Sequence, residues 1–342
     1  MKMKIALLAP LWHPIRQPYA GGVEMHTHLL AGELRARGHE VTLFAHPDSD
    51  ASGGLVPCPL PKGAGFWPTT LACWRAIKKL AEGDFDLVHN NSLSFLPPML
   101  AGSLPCPMVT TLHMPPYRSF RLTAGPTRRN KNHHYVSISR FIQQQWSGVA
   151  GASTVVHNGI PLADWPFSAV AVPKTAVWFG RFTPEKGAEY AIEAARRAGY
   201  RLSLAGPVHD RAYFEEKIVP QLDEHITYAG HLAQPELAAL VGRSAVGMVT
   251  SVWDEPFGLV YLEMAACGTP VAAFDSGAAS EIINDQCGAL VAKKDVAALA
   301  QVLSELKNKE RPGCRRHIEA NFPVQRMVEG YLEVYRRAVS DR

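Results

Sequence analysis

The sequence alternates between short apolar runs and amphipathic stretches, which limits the folds open to it more than any single motif does. In the first half the apolar runs fall at 5–11, 39–45, 85–91 and 107–113. The stretches between them, at 23–38 and 71–83, have helical periodicity. Apolar runs separated by helices predict an α/β fold in which a parallel sheet is covered by helices on both faces.

The same alternation starts again after a Pro-rich connection at 157–174. Apolar runs recur at 175–182, 200–207, 226–232, 246–251 and 270–274. Helical patterns recur at 188–199, 235–243 and 259–268. The sequence therefore predicts a second parallel-sheet unit, which a chain of 342 residues is long enough to form. A final amphipathic helix is predicted over 324–342.

Composition narrows the classes of function. The chain is 47% hydrophobic and 19% charged, with a formal net charge of +4, as in an ordinary globular protein. Mild basicity suits an anionic small molecule, whereas the dense basic stripe of a nucleic-acid binder is missing, so we expect no nucleic-acid partner. No apolar run is long enough to span a bilayer. The apolar start at 5–11 reads as a buried strand and not as a leader peptide.

Cysteine and carboxylate spacing gives no sign of a metal. The six cysteines have no CxxC pair, so we expect reduced thiols in a cytoplasmic protein without a metal or other cofactor. Asp84 and Asp86 form a D-x-D pair, but it precedes a predicted strand, at the end of the sheet opposite the one where ligands bind, and we expect it to be solvated.

Two segments that follow predicted strands carry groups suited to an anion. Gly21 and Gly22 precede the first helix, where they form either an approach for a ligand or a plain tight turn. Arg181 and Lys186, in GRFTPEKG, follow a strand of the second unit. Two cations there suit a pyrophosphate, and the alternative is a solvated surface pair. Neither GxGxxG nor GxxxxGK[ST] occurs, which counts against a nicotinamide or P-loop enzyme.

The stretch EPFGLVYLE at 255–263 places Glu255 before a helix and Glu263 within it. The helix begins near Phe257–Gly258–Leu259, so its first N–H groups form a second anion site. Carboxylates accept hydrogen bonds from vicinal hydroxyls. Glu255 could instead cap the helix and Glu263 could face solvent, but the residues around Glu263 are apolar, so its carboxylate should need a polar partner.

These segments together resemble glycosyltransferase family 4, the bacterial group 1 type. The resemblance rests on GG at 21–22, GRFTPEKG, LAGP at 204–207, EPFGLVYLEMAACGTPV and GAASE at 277–281, and it covers nearly the whole chain. It implies the GT-B fold, with two Rossmann-like parallel-sheet domains facing across a cleft. The implied domains are an acceptor-binding domain at 1–160, a donor-binding domain at 161–323, and a C-terminal helix at 324–342 that crosses back to the first domain.

The resemblance also implies roles at individual positions. Arg181 and Lys186 would hold the donor diphosphate, and Gly22 would approach it from the first domain. Glu263 would bind the ribose hydroxyls, and Glu255 the hydroxyls of the donor sugar. The other implied donor-site residues are His231 and Leu232 near the base, and Phe257, Gly258 and Leu259, which offer backbone N–H groups. His113 would lie beside the sugar, unless it forms only a local hydrogen bond.

The implied activity is retaining transfer of a hexose from a nucleotide diphosphate sugar, by default a UDP-sugar, to an acceptor hydroxyl without a metal. No residue stands out as a covalent nucleophile. Two alternatives stay open: a GT-B-like sugar-nucleotide epimerase or hydrolase, and a non-catalytic nucleotide-sugar-binding protein. The basic segment 115–134 could meet a membrane or a lipid-linked acceptor, or be a solvated loop. Sequence alone names neither the sugar nor the acceptor.

Overall fold

A computed structural model of the chain describes residues 2–50, 52–121 and 130–341. It divides into two compact units: Met1–Asn158 together with Val324–Arg342, and Gly159–Pro323. Each unit is built on its own parallel sheet, of seven strands in the first and six in the second. The predicted fold class, two α/β units with parallel sheets, is confirmed. No helix within the described residues combines the length and the apolar character needed to cross a membrane.

The first sheet has the strand order β3-β2-β1-β4-β5-β6-β7, and every adjacent pair is parallel. Its strands are β1 (Lys4–Leu8), β2 (Glu40–Ala45), β3 (Leu55–Pro57), β4 (Leu87–Asn90), β5 (Met108–Leu112), β6 (His133–Ser137) and β7 (Thr154–Val155). The central strands β1 and β4 are almost wholly buried, which is what a sheet covered on both faces requires.

Helices cover both faces of this sheet. The helices of the first unit with both ends in the described residues are Gly22–Ala36, Phe66–Glu82, Leu96–Leu100, Arg140–Trp146 and Val324–Ser340, with a 3-10 turn at Ala101–Ser103. Gly22–Ala36 and Val324–Ser340 share one apolar core with the sheet, and Phe66–Glu82 packs in a second core on the same sheet. The C-terminal helix is therefore part of the first unit, although the second unit lies between them in sequence.

The second sheet has the order β10-β9-β8-β11-β12-β13. Its strands are β8 (Val172–Phe179), β9 (Arg201–Ala205), β10 (Ile226–Tyr228), β11 (Ser244–Val249), β12 (Val271–Phe274) and β13 (Gly288–Val291). Its helices are Ala188–Ala198, Gln234–Arg243, Leu259–Ala266, Ala279–Ile282, Val296–Leu306 and Arg311–Asn321. Shorter turns lie at Leu162–Asp164, Pro184–Lys186 and Val219–Gln221, and Arg211–Tyr213 continues as a π-helix over Phe214–Ile218.

The sequence pattern missed several short elements and misplaced some ends. The strands β3, β7 and β13 have two to four residues each, too few to show a period. The helix predicted to begin at 71 begins at Phe66. Pro68 is tolerated there because the N–H groups of a first helical turn have no acceptor within the helix.

Candidate functional site

In the second unit, the loops that follow neighbouring strands are joined to one another at the carboxyl edge of the sheet. Parallel strands all end at this edge, so residues distant in sequence meet there. The joining backbone hydrogen bonds are 2.9–3.0 Å long and link Gly180 with Ala205, Gly206 with Gly230, Glu185 with Val252, and Glu255 with Ala278. Each segment singled out in the sequence of this unit therefore belongs to one connected rim.

The loop that carries Lys186 is fixed against the loop after β11. Gly187 has a φ of +65°, and a Cβ atom at this position would lie 2.4 Å from the Thr250 carbonyl oxygen. The Thr250 hydroxyl donates to the Gly187 carbonyl at 2.7 Å, and the Trp178 indole N–H donates to the Thr250 oxygen at 3.1 Å. A glycine is required at 187 because only it fits this close approach.

Lys186 and Glu255 form an ion pair on this rim. The ammonium donates to the carboxylate at 2.5 Å, and the two side chains are 24% and 9% exposed. Glu255 does not cap the following helix, since the cap position is Gly258. Lys186, predicted to hold the donor diphosphate, and Glu255, predicted to bind the sugar hydroxyls, therefore lie side by side. Arg181, in contrast, is exposed and has no hydrogen bond or ion pair with any other described residue.

The helix Leu259–Ala266 is preceded by Gly258, at a position where the backbone geometry requires a glycine. Gly258 has a φ of +90°, and a Cβ atom there would lie 2.3 Å from the Tyr261 ring. Phe257 is 2% exposed and its ring contacts Phe322 edge-on at 6.2 Å between centroids. The buried phenylalanine and the glycine fix the start of the helix, whose first N–H groups have no acceptor inside the helix.

Glu263 is buried without a partner. Only 8% of the residue is exposed, and its carboxylate has no hydrogen bond or ion pair with any part of the chain that the structure describes. Burial alone raises the pKa of this carboxyl to about 8. The solvent-facing alternative is therefore wrong. A buried carboxyl with no partner is costly, so the site calls for a polar ligand.

Two further buried polar groups on this rim were missed in the sequence. The hydroxyls of Tyr261 and Thr183 are buried and have no hydrogen-bond partner among the described residues. Burial, together with the charges of Glu255 and Asp275, holds the Tyr261 pKa well above its ordinary value. Neither residue carries a signal in the sequence, because only the fold shows that they are unpartnered.

The remaining residues predicted for the sugar-nucleotide site lie on a neighbouring loop and at the start of a helix. His231 is exposed and Leu232 is half-buried, on the loop that follows β10. The loop is held near β9 because the Tyr228 hydroxyl donates to the Gly206 carbonyl at 2.8 Å. Leu259, the first helical residue, is also half-buried.

The first unit places its two predicted residues at the carboxyl edge of its own sheet. Gly22 is the first residue of the helix Gly22–Ala36 and is exposed. Gly21, at the cap position, has extended backbone with a φ of −170°, which any residue can adopt. His113 follows β5 and is 4% exposed.

His113 belongs to a buried polar network. Its Nε2 atom lies 2.9 Å from Asn91 Oδ1, and its ring lies 4.8 Å from the His26 ring, centroid to centroid. His26 Nε2 lies 3.1 Å from the Tyr331 hydroxyl of the C-terminal helix. His89 pairs with the Tyr335 hydroxyl. The local hydrogen bond foreseen as the alternative for His113 is therefore present.

Burial keeps these histidines neutral. It lowers the pKa of His26 and of His89 to about 3, and it lowers that of His113 well below its ordinary value. Neutral imidazoles can both donate and accept, which is what the network of hydroxyl and amide partners requires.

Two other segments were noted in the sequence: the D-x-D pair, which lies away from the carboxyl edge of the sheet, and the basic segment 115–134, of which only part is described. Asp84 and Asp86 both bind Lys4, through its ammonium at 2.6 Å and its backbone N–H at 2.7 Å, near the start of β1. Of the basic segment 115–134, Arg118, Arg121 and Lys131 are exposed. Residues 122–129, with Arg128 and Arg129, lie outside the described residues.

Two Rossmann-like parallel-sheet units, one of which carries the connected rim described above, define a protein of the GT-B glycosyltransferase class. Glycosyltransferase Family 4 matches residues 20–164, and Glycosyl transferases group 1 matches residues 173–309. The chain belongs to glycosyltransferase family 4, as its motifs indicated.

Known proteins similar to this chain agree with that placement. A glycogen synthase from Mycobacterium tuberculosis is 27% identical, covering 97% of this chain and 94% of the relative. A phosphatidyl-myo-inositol mannosyltransferase from Mycobacterium leprae is 27% identical, covering 89% and 87%. The crystal structure of Anabaena Alr3699/HepE in complex with UDP and glucose has a TM-score of 0.77 at 19% identity, covering 97% and 99%.

Proposed function

We propose that the chain transfers a hexose from a nucleotide diphosphate sugar, with UDP as the favoured nucleotide, to an acceptor hydroxyl, with retention at the anomeric carbon and without a metal ion. Glycosyltransfer itself follows from the family. The donor class rests on one observation above all, the buried and unpartnered carboxyl of Glu263 in the helix that follows Glu255, which itself pairs with Lys186 on the rim.

A sugar nucleotide supplies what each group on the rim needs. The ribose hydroxyls would donate to Glu263 and pay for the burial of its charge. The diphosphate would accept from Arg181, which is exposed and uncommitted, and from Lys186, which would then be shared with Glu255. The first N–H groups of the helix Leu259–Ala266 would add to this anion site. The sugar hydroxyls would reach Glu255.

Charge neutralisation of the leaving diphosphate is the chemistry that these residues provide. As the glycosidic bond breaks, negative charge accumulates on the diphosphate, and fixed cations and helix N–H groups stabilise it without rearranging. The acceptor hydroxyl would enter on the face that the diphosphate leaves, which gives retention. His231 and Leu232 would lie by the base. Gly22 and His113, in the other unit, remain predicted contacts of the diphosphate and of the sugar.

The acceptor stays a hydroxyl of unassigned class. The two relatives are named for glycogen in one case and for phosphatidyl-myo-inositol in the other, at the same 27% identity to this chain. Equal identity to proteins named for such different molecules supports transfer to a hydroxyl and favours neither acceptor.

Calorimetric titration with UDP, GDP and ADP, in a chelator to remove metals, tests the donor site. We expect one nucleotide to bind, and the double variant Arg181→Ala, Lys186→Ala to bind it roughly a hundredfold more weakly, because each cation makes charge-assisted hydrogen bonds. The matched control is Arg201→Ala, Lys307→Ala, which removes the same charge from exposed positions outside the rim. No binding of any nucleoside diphosphate would overturn the assignment of the rim.

Turnover separates the transferase from its alternatives. The protein is incubated with sugar nucleotides built on the nucleotide that binds, together with a panel of hydroxyl acceptors. Nucleotide should be released only when an acceptor is present. NMR of the product should show that the sugar keeps the anomeric configuration it had in the donor. Nucleotide release without an acceptor would indicate a hydrolase, and conversion of the sugar nucleotide into an isomer would indicate an epimerase. Binding with no turnover under any condition would indicate a binding protein.

A further inference from the structure

Asn91 lies at the centre of the buried polar network of the first unit. It follows β4 and is 1% exposed, too deeply buried to contact a substrate. Its backbone N–H donates to the Leu8 carbonyl of β1 at 2.8 Å. Its side-chain Nδ2 atom lies 3.2 Å from Thr27 Oγ1, in the helix Gly22–Ala36. A strand and a helix therefore hold this side chain in place.

The oxygen of the Asn91 amide accepts hydrogen bonds from two imidazoles. Asn91 Oδ1 lies 2.9 Å from His113 Nε2 and 3.1 Å from His89 Nε2. An amide oxygen carries no hydrogen, so each of these two nitrogens must carry the hydrogen of its ring. His89 agrees with this, because its other nitrogen, Nδ1, pairs with the Tyr335 hydroxyl, which has a hydrogen to donate. One acceptor atom thus sets the proton position in both rings.

Thr27 determines which end of the amide faces these two imidazoles. The Thr27 hydroxyl donates its only hydrogen to the Val23 carbonyl at 2.7 Å, so toward Asn91 it can only accept. The NH2 group of the amide must therefore face Thr27, which leaves the amide oxygen facing His113. His26 Nδ1, 3.4 Å from the same Asn91 Nδ2 atom, accepts the second amide hydrogen.

His113 keeps one ring nitrogen that the network does not use. Burial holds the His113 pKa well below its ordinary value, so the ring is neutral and carries one hydrogen. With that hydrogen on Nε2, Nδ1 has a free lone pair, and it makes no hydrogen bond with any described residue. His26 and His89 use both of their nitrogens. His113 is therefore the ring of this network that can still accept a hydrogen bond.

We propose that Asn91 is a positioning residue for glycosyl transfer: it holds the His113 imidazole in its Nε2–H form, so that Nδ1 accepts a hydrogen bond from a hydroxyl of the transferred sugar. The inference rests on the proposed function, which gives His113 its place beside the sugar. A buried acid fixes the tautomer of a catalytic histidine in the same way in hydrolase triads. An amide does so without adding a charge, and the acceptor is in place before the sugar binds.

NMR of the full chain with ¹⁵N-labelled histidine measures the tautomer without donor or acceptor. Imidazole nitrogens with and without a hydrogen differ in ¹⁵N shift, and the His113 signals are those lost in His113→Ala. We expect the hydrogen on Nε2 of His113 in the wild type. Asn91→Leu puts an apolar group of similar shape against Nε2, so the hydrogen should move to Nδ1 in a large fraction of the molecules. A wild-type His113 with its hydrogen on Nδ1 would overturn the proposal, whether or not the variant folds.

Asn90→Leu is the matched control for Asn91→Leu. Asn90 is also 1% exposed, but its side chain bonds to Thr110 at 3.2 Å and to Ser92 at 2.6 Å instead of to His113. It should lose stability to a similar extent and keep the wild-type tautomer. If both variants shift the tautomer alike, the cause is general loosening of the network, and the assigned role of Asn91 is wrong.

A double-mutant cycle tests whether Asn91 acts through His113. Asn91→Leu should lower kcat/KM by about tenfold or more, while the affinity for the nucleotide alone, which lacks the sugar, stays within about twofold. His113→Ala should lower kcat/KM at least as much, and adding Asn91→Leu to it should cause little further loss. In the control cycle, the effects of Asn90→Leu and His113→Ala should multiply.

The kinetic outcomes separate this proposal from the proposed function. Losses that multiply in the Asn91–His113 cycle would refute the positioning role alone, since the wild type would still transfer sugar. A wild type that turns over no sugar nucleotide with any acceptor would refute the proposed function, and the positioning role with it.

Discussion

The carboxyl edges of the two sheets differ in how their buried polar groups are satisfied. In the first unit His26, His89 and His113 bond to Asn91 and to tyrosines of the C-terminal helix. In the second unit the groups of Glu263, Tyr261 and Thr183 have no partner within the described residues. The difference teaches that burial alone does not mark a ligand site. A missing partner is a second requirement, and even then it is only informative beside other ligand-binding groups, since His133 Nδ1 and Asn158 Oδ1 in the first unit are also buried without a partner among the described residues.

The two units should respond to pH in opposite directions, and this is the largest effect we expect. The pKa of His26 and His89 is lowered to about 3 by burial, so the unfolded chain binds more protons below pH 6.5, and the first unit loses stability as pH falls. The pKa of Glu263 is raised to about 8, so the folded second unit binds more protons between about 4.5 and 8, and loses stability as pH rises.

Moving from pH 8 to pH 5 should cost the first unit about 2 kcal/mol for each of His26 and His89, while Glu263 should stabilise the second unit by a similar amount or more. Hydrogen exchange with peptide-level resolution, at both pH values and in mild urea, reports the two units separately. A common direction of change in both would contradict the contrast between satisfied and unsatisfied groups.

The second prediction concerns a rim residue that the fold does not need. Arg181→Ala should lower kcat/KM by roughly a hundredfold, because the cation that we propose faces the leaving diphosphate is lost. Arg181 is exposed and unpaired among the described residues, so the free energy of unfolding should change by less than about 0.5 kcal/mol.

Steady-state kinetics and urea unfolding of the same preparation measure both quantities for Arg181→Ala. Arg201→Ala, an exposed arginine at the start of β9, is the control for general charge loss and should leave both unchanged. Equal activity in the two variants would remove Arg181 from the donor site.

Local patterns in the sequence were enough to predict the two sheets and the need of the carboxylate in EPFGLVYLE for a polar partner. Strand–helix alternation predicted both parallel sheets, and the apolar surroundings of Glu263 indicated that its carboxylate needs a partner. Both inferences use residues close together in the chain, which is the range over which periodicity and polarity patterns act.

Contacts between distant segments could not be predicted in the same way. The Lys186–Glu255 pair joins residues 69 positions apart, and the His26–Tyr331 contact spans 305. These pairs form because parallel strands end at one edge and because the C-terminal helix returns to the first unit. Histidines scattered in the sequence carry no sign of the network they form.

The third prediction tests the unsatisfied carboxyl directly. Glu263→Gln should raise the free energy of unfolding by about 4 kcal/mol at pH 8.5, where the wild type buries a charge, and by less than about 1 kcal/mol at pH 5. The same variant should bind the nucleotide at least about tenfold more weakly, because an amide accepts the ribose hydroxyls less strongly than a carboxylate. Chemical unfolding and calorimetry measure the two.

Proton release provides a second measure of the same group. Binding of ribose hydroxyls favours the ionised carboxylate, so nucleotide binding to the wild type at pH 7 should release a proton, seen as a dependence of the binding enthalpy on the buffer. Glu263→Gln should lose this dependence. An unchanged proton count in the variant would mean that another group titrates on binding.

The smallest effect is expected where the buried polar groups are satisfied. Tyr335→Phe removes the hydroxyl that pairs with His89 and leaves that ring with Asn91 and Thr111 as its remaining partners. We expect a loss of about 1–2 kcal/mol in the free energy of unfolding, no change in nucleotide affinity, and faster hydrogen exchange in the first unit only.

The control for Tyr335→Phe is Tyr190→Phe in the second unit, where the hydroxyl has no hydrogen bond with any described residue and the ring packs on Phe274. Its cost should be less than about 0.5 kcal/mol. If the two variants cost the same, the hydroxyl–imidazole contacts would contribute nothing beyond packing. The first unit's histidines would then be no better satisfied than Glu263, and the contrast between the two edges would have to be explained by burial alone.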